Sequence, residues 1–305
     1  MRHLKLLLLL ALPLAVVSCA SSSKVAQGSK APTKAEILFQ KASKLEKKGS
    51  WKAAAKKYED VVEQYPTSKV ASTAAYRVGQ NWEKANKPQN AFDAYQTYIT
   101  LFRNGAKYSE ALDSQSDIAF KAAKGGLNKR FLGLKSELTY AQVTGLLNNV
   151  ISNAPASDLA ARAQFEIGAY AEKQERTGES VAAFFKLVDS YPNHKLAPEA
   201  TYRAGLALSG YSQEHSENSS NLYKAKSTLE DLIQQYPSSS QASKARKLLK
   251  EIVKLDNERT FEVATFYEKK GKYDSAKYYY QELIDRTKSS DQLHQQAQKR
   301  LKNLP

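Results

Sequence analysis

Residues 51–66 read WKAAAKKYEDVVEQYP, and close variants return as LYKAKSTLEDLIQQYP at 222–237 and KYDSAKYYYQELIDR at 272–286. In each, a small residue is followed at helical steps by two large ones: Ala54, Tyr58 and Val61; Ala225, Leu229 and Leu232; Ala276, Tyr280 and Leu283. Steps of three and four put such residues on one face of a helix. Upstream of the first phrase, Leu38, Ala42 and Leu45 keep the same period until Gly49-Ser50 interrupts it. The pattern predicts two antiparallel helices joined by a tight turn. Ala42 and Ala54 leave no bulk at the crossing, and Tyr58 fills the space beyond them. Pro66 ends the second helix, because it lacks an amide hydrogen and clashes with the turn before it.

The small residue tracks the unit along the chain. Ala91 takes the place of Ala54 in a second copy, with Gly79, Trp82 and Tyr95 around it. A third copy shows Val143, Leu147, Val150 and Pro155, and a fourth shows Gly168, Ser180, Phe184, Leu187 and Tyr191-Pro192. The fifth adds Gly205, Leu208 and Tyr236-Pro237, and the sixth Ala264, Tyr267, Gly271 and Tyr273. Ala54 to Ala91 and Val143 to Ser180 are both steps of 37 residues, and the longer steps elsewhere mark insertions. GGLNKRFLGLKSEL (125–138) is read as a loop inside the third copy, and SGYSQEHSENSSN (209–221) as one between the helices of the fifth. Residues 238–271 hold an extended helical run, and a helix at 290–301, with Leu293, Ala297 and Leu301 inward, is expected to cap the end.

These residues resemble the tetratricopeptide repeat, a helix-turn-helix unit of about 34 residues. The resemblance implies an all-α fold: a right-handed superhelical α-solenoid of about six helix hairpins over residues 35–305. One hairpin cannot bury its own apolar face, and stacked neighbours can, so one core runs along the array.

The start of the chain is different. Arg2 and Lys5 precede an apolar run from Leu6 to Leu12 that is too short to span a bilayer. Residues 1–18 are read as an export signal. The single cysteine, Cys19, ends VVSC, which resembles the lipobox of bacterial lipoproteins. That resemblance implies cleavage before Cys19 and its acylation. Ala20 after it implies the outer membrane, lipid-anchored on the periplasmic side. With Cys19 acylated, no thiol remains to form a disulfide, so stability must come from packing. Residues 19–34 hold small and polar residues without an apolar period, the composition of a flexible tether. Loss of residues 1–18 lowers the net charge by two, from +15 to +13. Such a charge suits an acidic surface or polymer, or simply solvates long helices. Nucleic acid is not expected as a partner, since no recognition motif accompanies the charge.

The sequence offers little to catalysis. His194, His215 and His294 are far apart and share no ligand spacing, so no metal and no cofactor are expected. Carboxylates such as Glu59, Asp60, Glu63, Glu230, Asp231 and Glu282 fall on polar helix faces, with Lys56 and Lys57 near Asp60 and Glu63. Gly125-Gly126 lacks the lysine-serine partner of a phosphate loop. Most tyrosines stand at repeat positions. In KYYYQEL, however, Tyr278, Tyr279 and Tyr280 cannot all face one core, which makes Tyr279 a candidate partner contact.

Residues 257–286, NERTFEVATFYEKKGKYDSAKYYYQELIDR, resemble the BamD-like family of outer-membrane assembly lipoproteins, with Glu262-Val263-Ala264, Phe266-Tyr267, Gly271, Tyr273 and Ala276 as matching pieces. The resemblance implies a non-enzymatic scaffold that helps hold a complex folding β-barrels into the outer membrane, with an outer-membrane barrel-assembly protein as partner. A second reading is a tetratricopeptide lipoprotein coordinating cell-wall synthesis or cell-division factors. Either way, contacts are expected from inserted loops and groove residues: Lys129, Arg130 and Phe131, with Arg77, Arg103 and Arg203.

Overall fold

The computed structural model describes residues 32–131, 134–214 and 219–305. The export signal at 1–18, Cys19, most of the 19–34 tether and His215 lie outside the described residues.

The described chain forms stacked antiparallel helix pairs. The first copy pairs α1 (Lys34–Lys47) with α2 (Trp51–Gln64), the second α3 (Ala71–Lys84) with α4 (Pro88–Leu101), and the third α5 (Tyr108–Ala123) with α6 (Tyr140–Asn153). The fourth pairs α7 (Asp158–Lys173) with α8 (Thr177–Ser190), and the fifth α9 (Ala197–Glu214) with α10 (Ser219–Gln235). The sixth joins the long α11 (Ser240–Lys269) to α12 (Tyr273–Arg286), and α13 (Gln292–Lys302) closes the array. Each second helix packs on its own first helix and on the first helix of the next copy.

Two expected loops are more ordered than the sequence suggests. Within residues 125–138, β1 (Asn128–Phe131) pairs antiparallel with β2 (Leu134–Glu137), Asn128 opposite Glu137 and Phe131 opposite Leu134. The fold is the expected all-α solenoid, with this one short hairpin inserted where backbone groups leaving α5 pair before α6 begins. In the fifth copy, α9 continues to Glu214 and α10 starts at Ser219, so both helices grow into the expected loop.

The turns explain the recurring glycine. After α1, Gly49 takes φ +73°, its amide bonds the Glu46 carbonyl at 2.9 Å, and the Ser50 amide bonds the Leu45 carbonyl at 3.0 Å. This pair of bonds satisfies carbonyls that the helix end leaves free, and it needs a left-handed residue between them. The fourth copy makes the same two bonds with Glu175, at φ +58°. The Tyr-Pro phrase has its own role. Tyr191 and Tyr236 close second helices, and their hydroxyls donate to the carbonyls of Pro155 (2.7 Å) and Pro192 (2.8 Å) one turn back. Each therefore ties two successive inter-copy turns together.

Small residues let the helices of a pair meet. A Cβ added at Gly79 would lie 2.4 Å from the Tyr95 ring, and one at Gly168 would lie 2.7 Å from Phe184. Tyr58, Tyr95, Phe184 and Tyr280 are fully buried at the matching position of four copies. Burial of such a side chain is worth about 1.5–3 kcal/mol.

The long α11 divides the core. Ala245 and Ile252, in its first half, join the α9–α10 cluster. Ala264, in its second half, joins Ala276, Tyr280, Leu283 and Ala297 in a separate terminal cluster. Leu293 and Leu301 of α13 pack on that cluster, as expected of the cap.

Candidate interaction surfaces

A carboxylate recurs near the end of the first helix. Tyr58 donates to Glu46 at 2.9 Å, Tyr95 to Glu83 at 2.6 Å and Tyr280 to Glu268 at 2.6 Å, each across twelve residues. An arginine from the next first helix joins two of these: Arg77 Nη1 lies 2.8 Å from Glu46, and Arg300 Nη1 lies 3.2 Å from Glu268. In the fourth copy, Phe184 replaces the tyrosine, Arg203 pairs with Glu172, and the guanidinium also lies over the rings of Phe165 and Phe184. Burial would raise the Glu46 carboxyl, but the Tyr58 hydroxyl and the Arg77 guanidinium together outweigh it and hold the group below its ordinary value. Burial and the bond to Glu46 push the Tyr58 hydroxyl up to about 12. The third and fifth copies carry Ala123 with Leu147 and Ser209 with Leu229 at these positions, all buried. These are the two copies with lengthened connections, and neither has the tyrosine–carboxylate bridge; buried Ser209 bonds the Leu206 carbonyl of its own helix instead.

Arg77 and Arg203 thus sit in bridges between neighbouring copies. Arg103 is exposed in the turn after α4. Lys129, Arg130 and Phe131 fall on β1, well away in sequence from the other three. Tyr279 is half-buried and stacks on Tyr267 at 5.6 Å and 2°, and the neighbouring Tyr278 is the exposed ring. His194 bonds Asp158 at 2.8 Å, and the buried His294 lies 3.2 Å from Thr287 Oγ1, so both are locally bonded.

A cleft of about 240 Å³ opens between α2, α3 and α4. Val62, Val78 and Trp82 line it, with Glu59, Glu63 and Asp93. The Trp82 indole N–H donates to Glu59 at 2.7 Å, which fixes the covering helix. Burial raises the Asp93 carboxyl against the lowering effect of Gln89. The equivalent face of the sixth copy is bare. There Phe266, Tyr267, Tyr279 and Tyr278 form a continuous run of rings with centroids 5.2–5.7 Å apart. The sequence reading set Tyr278 and Tyr279 apart but chose Tyr279 as the contact, and it did not single out Phe266 as one.

Among the described residues, no group of three His, Cys, Asp or Glu is arranged to hold a metal ion, and no helix is long and apolar enough to cross a membrane. Residues 36–68 match the tetratricopeptide repeat, and residues 134–302 match the family described as YfiO, outer membrane lipoprotein. The second match covers more than half of the chain.

The chain belongs to this outer-membrane lipoprotein family.

The family match begins at residue 134, upstream of the segment at 225–286 whose likeness the sequence shows most closely. Comparison with curated proteins returns no match. Among solved structures, the chain is similar to MamA from Desulfovibrio magneticus RS-1, at 16% identity over 68% of this chain and 98% of that one, with a TM-score of 0.31. It is also similar to YrrB, a TPR protein with an unusual peptide-binding site, at 17% identity over 70% and 92%, TM-score 0.32. A third is pilF of Pseudomonas aeruginosa, at 12% identity over 87% and 97%, TM-score 0.31. As a member of the YfiO family, the protein is a non-enzymatic repeat scaffold for protein–protein contacts in an outer-membrane context.

Proposed function

We propose that the protein is a periplasmic component of an outer-membrane β-barrel protein assembly complex, held to the membrane by an acylated Cys19. The observation that carries this reading is the family match over residues 134–302. The lipobox-like VVSC supports the anchor. Residues 1–18 act as the export signal and 19–34 as the tether, and the solenoid begins where Thr33 caps α1 through Glu36. Lys129, Arg130 and Phe131 on the β1–β2 hairpin, together with Arg77, Arg103, Arg203 and Tyr279, are the contacts proposed for its partners.

The test is affinity purification of the tagged lipoprotein from gently solubilised membranes. A barrel protein with periplasmic modules, recovered in near-stoichiometric yield, supports the assembly role. Wall synthases or division proteins without that barrel overturn it in favour of an envelope coordinator. Cys19→Ala is expected to move the protein from the membrane pellet to the soluble fraction. Substitution of Lys129 and Arg130 by glutamate, with Phe131→Ser, is expected to deplete the partner. An intact complex removes the hairpin from the interface.

A further inference from the structure

The repeat supplies its own control for one surface. In the second copy, Val78 and Asn81 on α3 are 4% and 0% exposed, on a helix that packs against α2, whose Val62 shares a cleft with Val78. In the fourth, Tyr170 at the position of Asn81 is 8% exposed, under the stacked ring of Tyr140 from α6. The same two positions of the sixth copy hold Val263 and Phe266, and these are 38% and 55% exposed. Asp93 is exposed in the second copy, and at its place the sixth presents the ring of Tyr278, 65% exposed, beside this uncovered pair.

The cause is the length of α11. At about 1.5 Å per residue, its 30 residues span about 45 Å and the 17 residues of α10 about 26 Å. Contacts from α10 reach Ile252 in the core and Asp256 through Lys226, at 3.8 Å. No α10 residue joins the terminal cluster. The second half of α11 therefore enters its hairpin without the preceding second helix that covers the second and fourth copies.

We infer that this face receives an amphipathic helix of a protein partner, with an aliphatic stripe flanked by carboxylates. The covering helix α2 is the template, with Val62 inward and Glu59 and Glu63 beside it, Glu59 bonding the Trp82 indole. Tyr267 stands where Trp82 stands in the second copy, and its hydroxyl offers a donor in place of the indole N–H. Lys270 lies 5.8 Å over the Phe266 ring and Lys272 lies 6.0 Å over that of Tyr267. An acidic flank meets these cations, as a basic one does not. The run of four rings offers large, rigid contact area of the kind that anchors interfaces. This inference rests on the scaffold reading and names the chemistry of one segment that the scaffold takes.

The experiment uses the full purified chain and synthetic peptides, so its outcome is independent of what membranes yield. The probe is a labelled helical peptide of about 20 residues with a Leu/Val stripe at i, i+3, i+4 and i+7 and flanking glutamates, read by fluorescence anisotropy. Controls are a peptide of equal composition with the stripe scrambled and one with lysine flanks. Phe266→Glu and Tyr278→Glu change exposed side chains, so each variant is expected to keep the wild-type melting temperature. Each is expected to weaken binding about tenfold or more, as loss of an anchor does. Leu101→Glu, at another exposed apolar site, is expected to leave binding unchanged. Equal binding of the scrambled or lysine-flanked peptide overturns the inference. So does wild-type affinity in both glutamate variants. Self-association of the free protein that Phe266→Glu abolishes would assign the face to a second copy and overturn it as well.

Discussion

The Tyr58 hydroxyl donates a 2.9 Å hydrogen bond to Glu46, and the same carboxylate takes Arg77 from the next copy at 2.8 Å. The bond closes one hairpin and the ion pair joins it to its neighbour. A buried carboxylate is tolerated here because both a hydroxyl and a guanidinium meet it.

Tyr58→Phe keeps the ring and removes that donor. A hydrogen bond to a charged group is worth about 1.5–3 kcal/mol, and the variant is expected to lose about that much in urea unfolding. The pH dependence follows from the two shifts. The Glu46 carboxyl is held below its ordinary value of 4.5, so its contribution is full above that pH and fades as acid protonates it in the fold. The Tyr58 hydroxyl is raised from 10 to about 12, so its contribution is full below pH 10 and is lost as pH climbs through 12. Glu46→Gln is expected to flatten the acid limb of the midpoint-versus-pH curve, and Tyr58→Phe to flatten the alkaline limb. An unchanged acid limb in Glu46→Gln would show that other carboxylates govern it.

Gly79 and Tyr95 test how closely a helix pair meets. Gly79→Ala places a methyl group 2.4 Å from the Tyr95 ring, and overpacking of this kind costs about 1–3 kcal/mol. Gly145, within α6, has nothing within 4 Å of an added Cβ. Gly145→Ala is therefore expected to stabilise by about 0.5–1 kcal/mol through helix propensity alone. Opposite signs in thermal unfolding separate close packing from propensity; two shifts of the same sign would contradict the packing account.

Glu175 holds a left-handed turn that glycine holds at Gly49, Gly125 and Gly271. A non-glycine residue there costs roughly 1–2 kcal/mol. Glu175→Gly is expected to raise stability by about 1 kcal/mol, since the turn keeps its two backbone bonds and sheds the Cβ clash. Equilibrium denaturation checks this, and a lower midpoint would mean that the glutamate side chain contributes more than its backbone costs.

The periodicity of Ala42, Ala54 and Tyr58 made the hairpins legible, because a helix pair stacked on its neighbours writes its packing every three or four residues. The terminal cap was legible for the same reason, through Leu293, Ala297 and Leu301. Two features were not. Strands of four residues, such as Asn128–Phe131, carry too few positions for an alternating pattern to stand out. The bare face of the sixth copy depends on which helix precedes it in space, and Phe266 reads like any other apolar helix residue. Tyr278 was partly within reach. With Tyr280 fixed in the core, a residue two steps away points roughly 200° around the helix. Tyr279, roughly 100° from the core, lies at the edge, where the structure finds it half-buried.

The division of α11 between two clusters predicts how the solenoid comes apart. Ile252 is packed with α10, and Ala264 with Tyr280 and Ala297. A repeat array gains stability from intrinsic and nearest-neighbour terms, so a joint carried by one helix and the ion pairs of Asp256 with Lys226 and Arg286 is its weakest. Tyr280→Ala empties a fully buried site and is expected to cost about 3–5 kcal/mol in the terminal unit, as for other aromatic truncations. Hydrogen exchange in low urea is expected to accelerate together in α12, α13 and the second half of α11. Amides of α1 through α8 keep their wild-type rates. If protection falls evenly along the chain, α11 transmits cooperativity through its middle and the two clusters unfold as one unit.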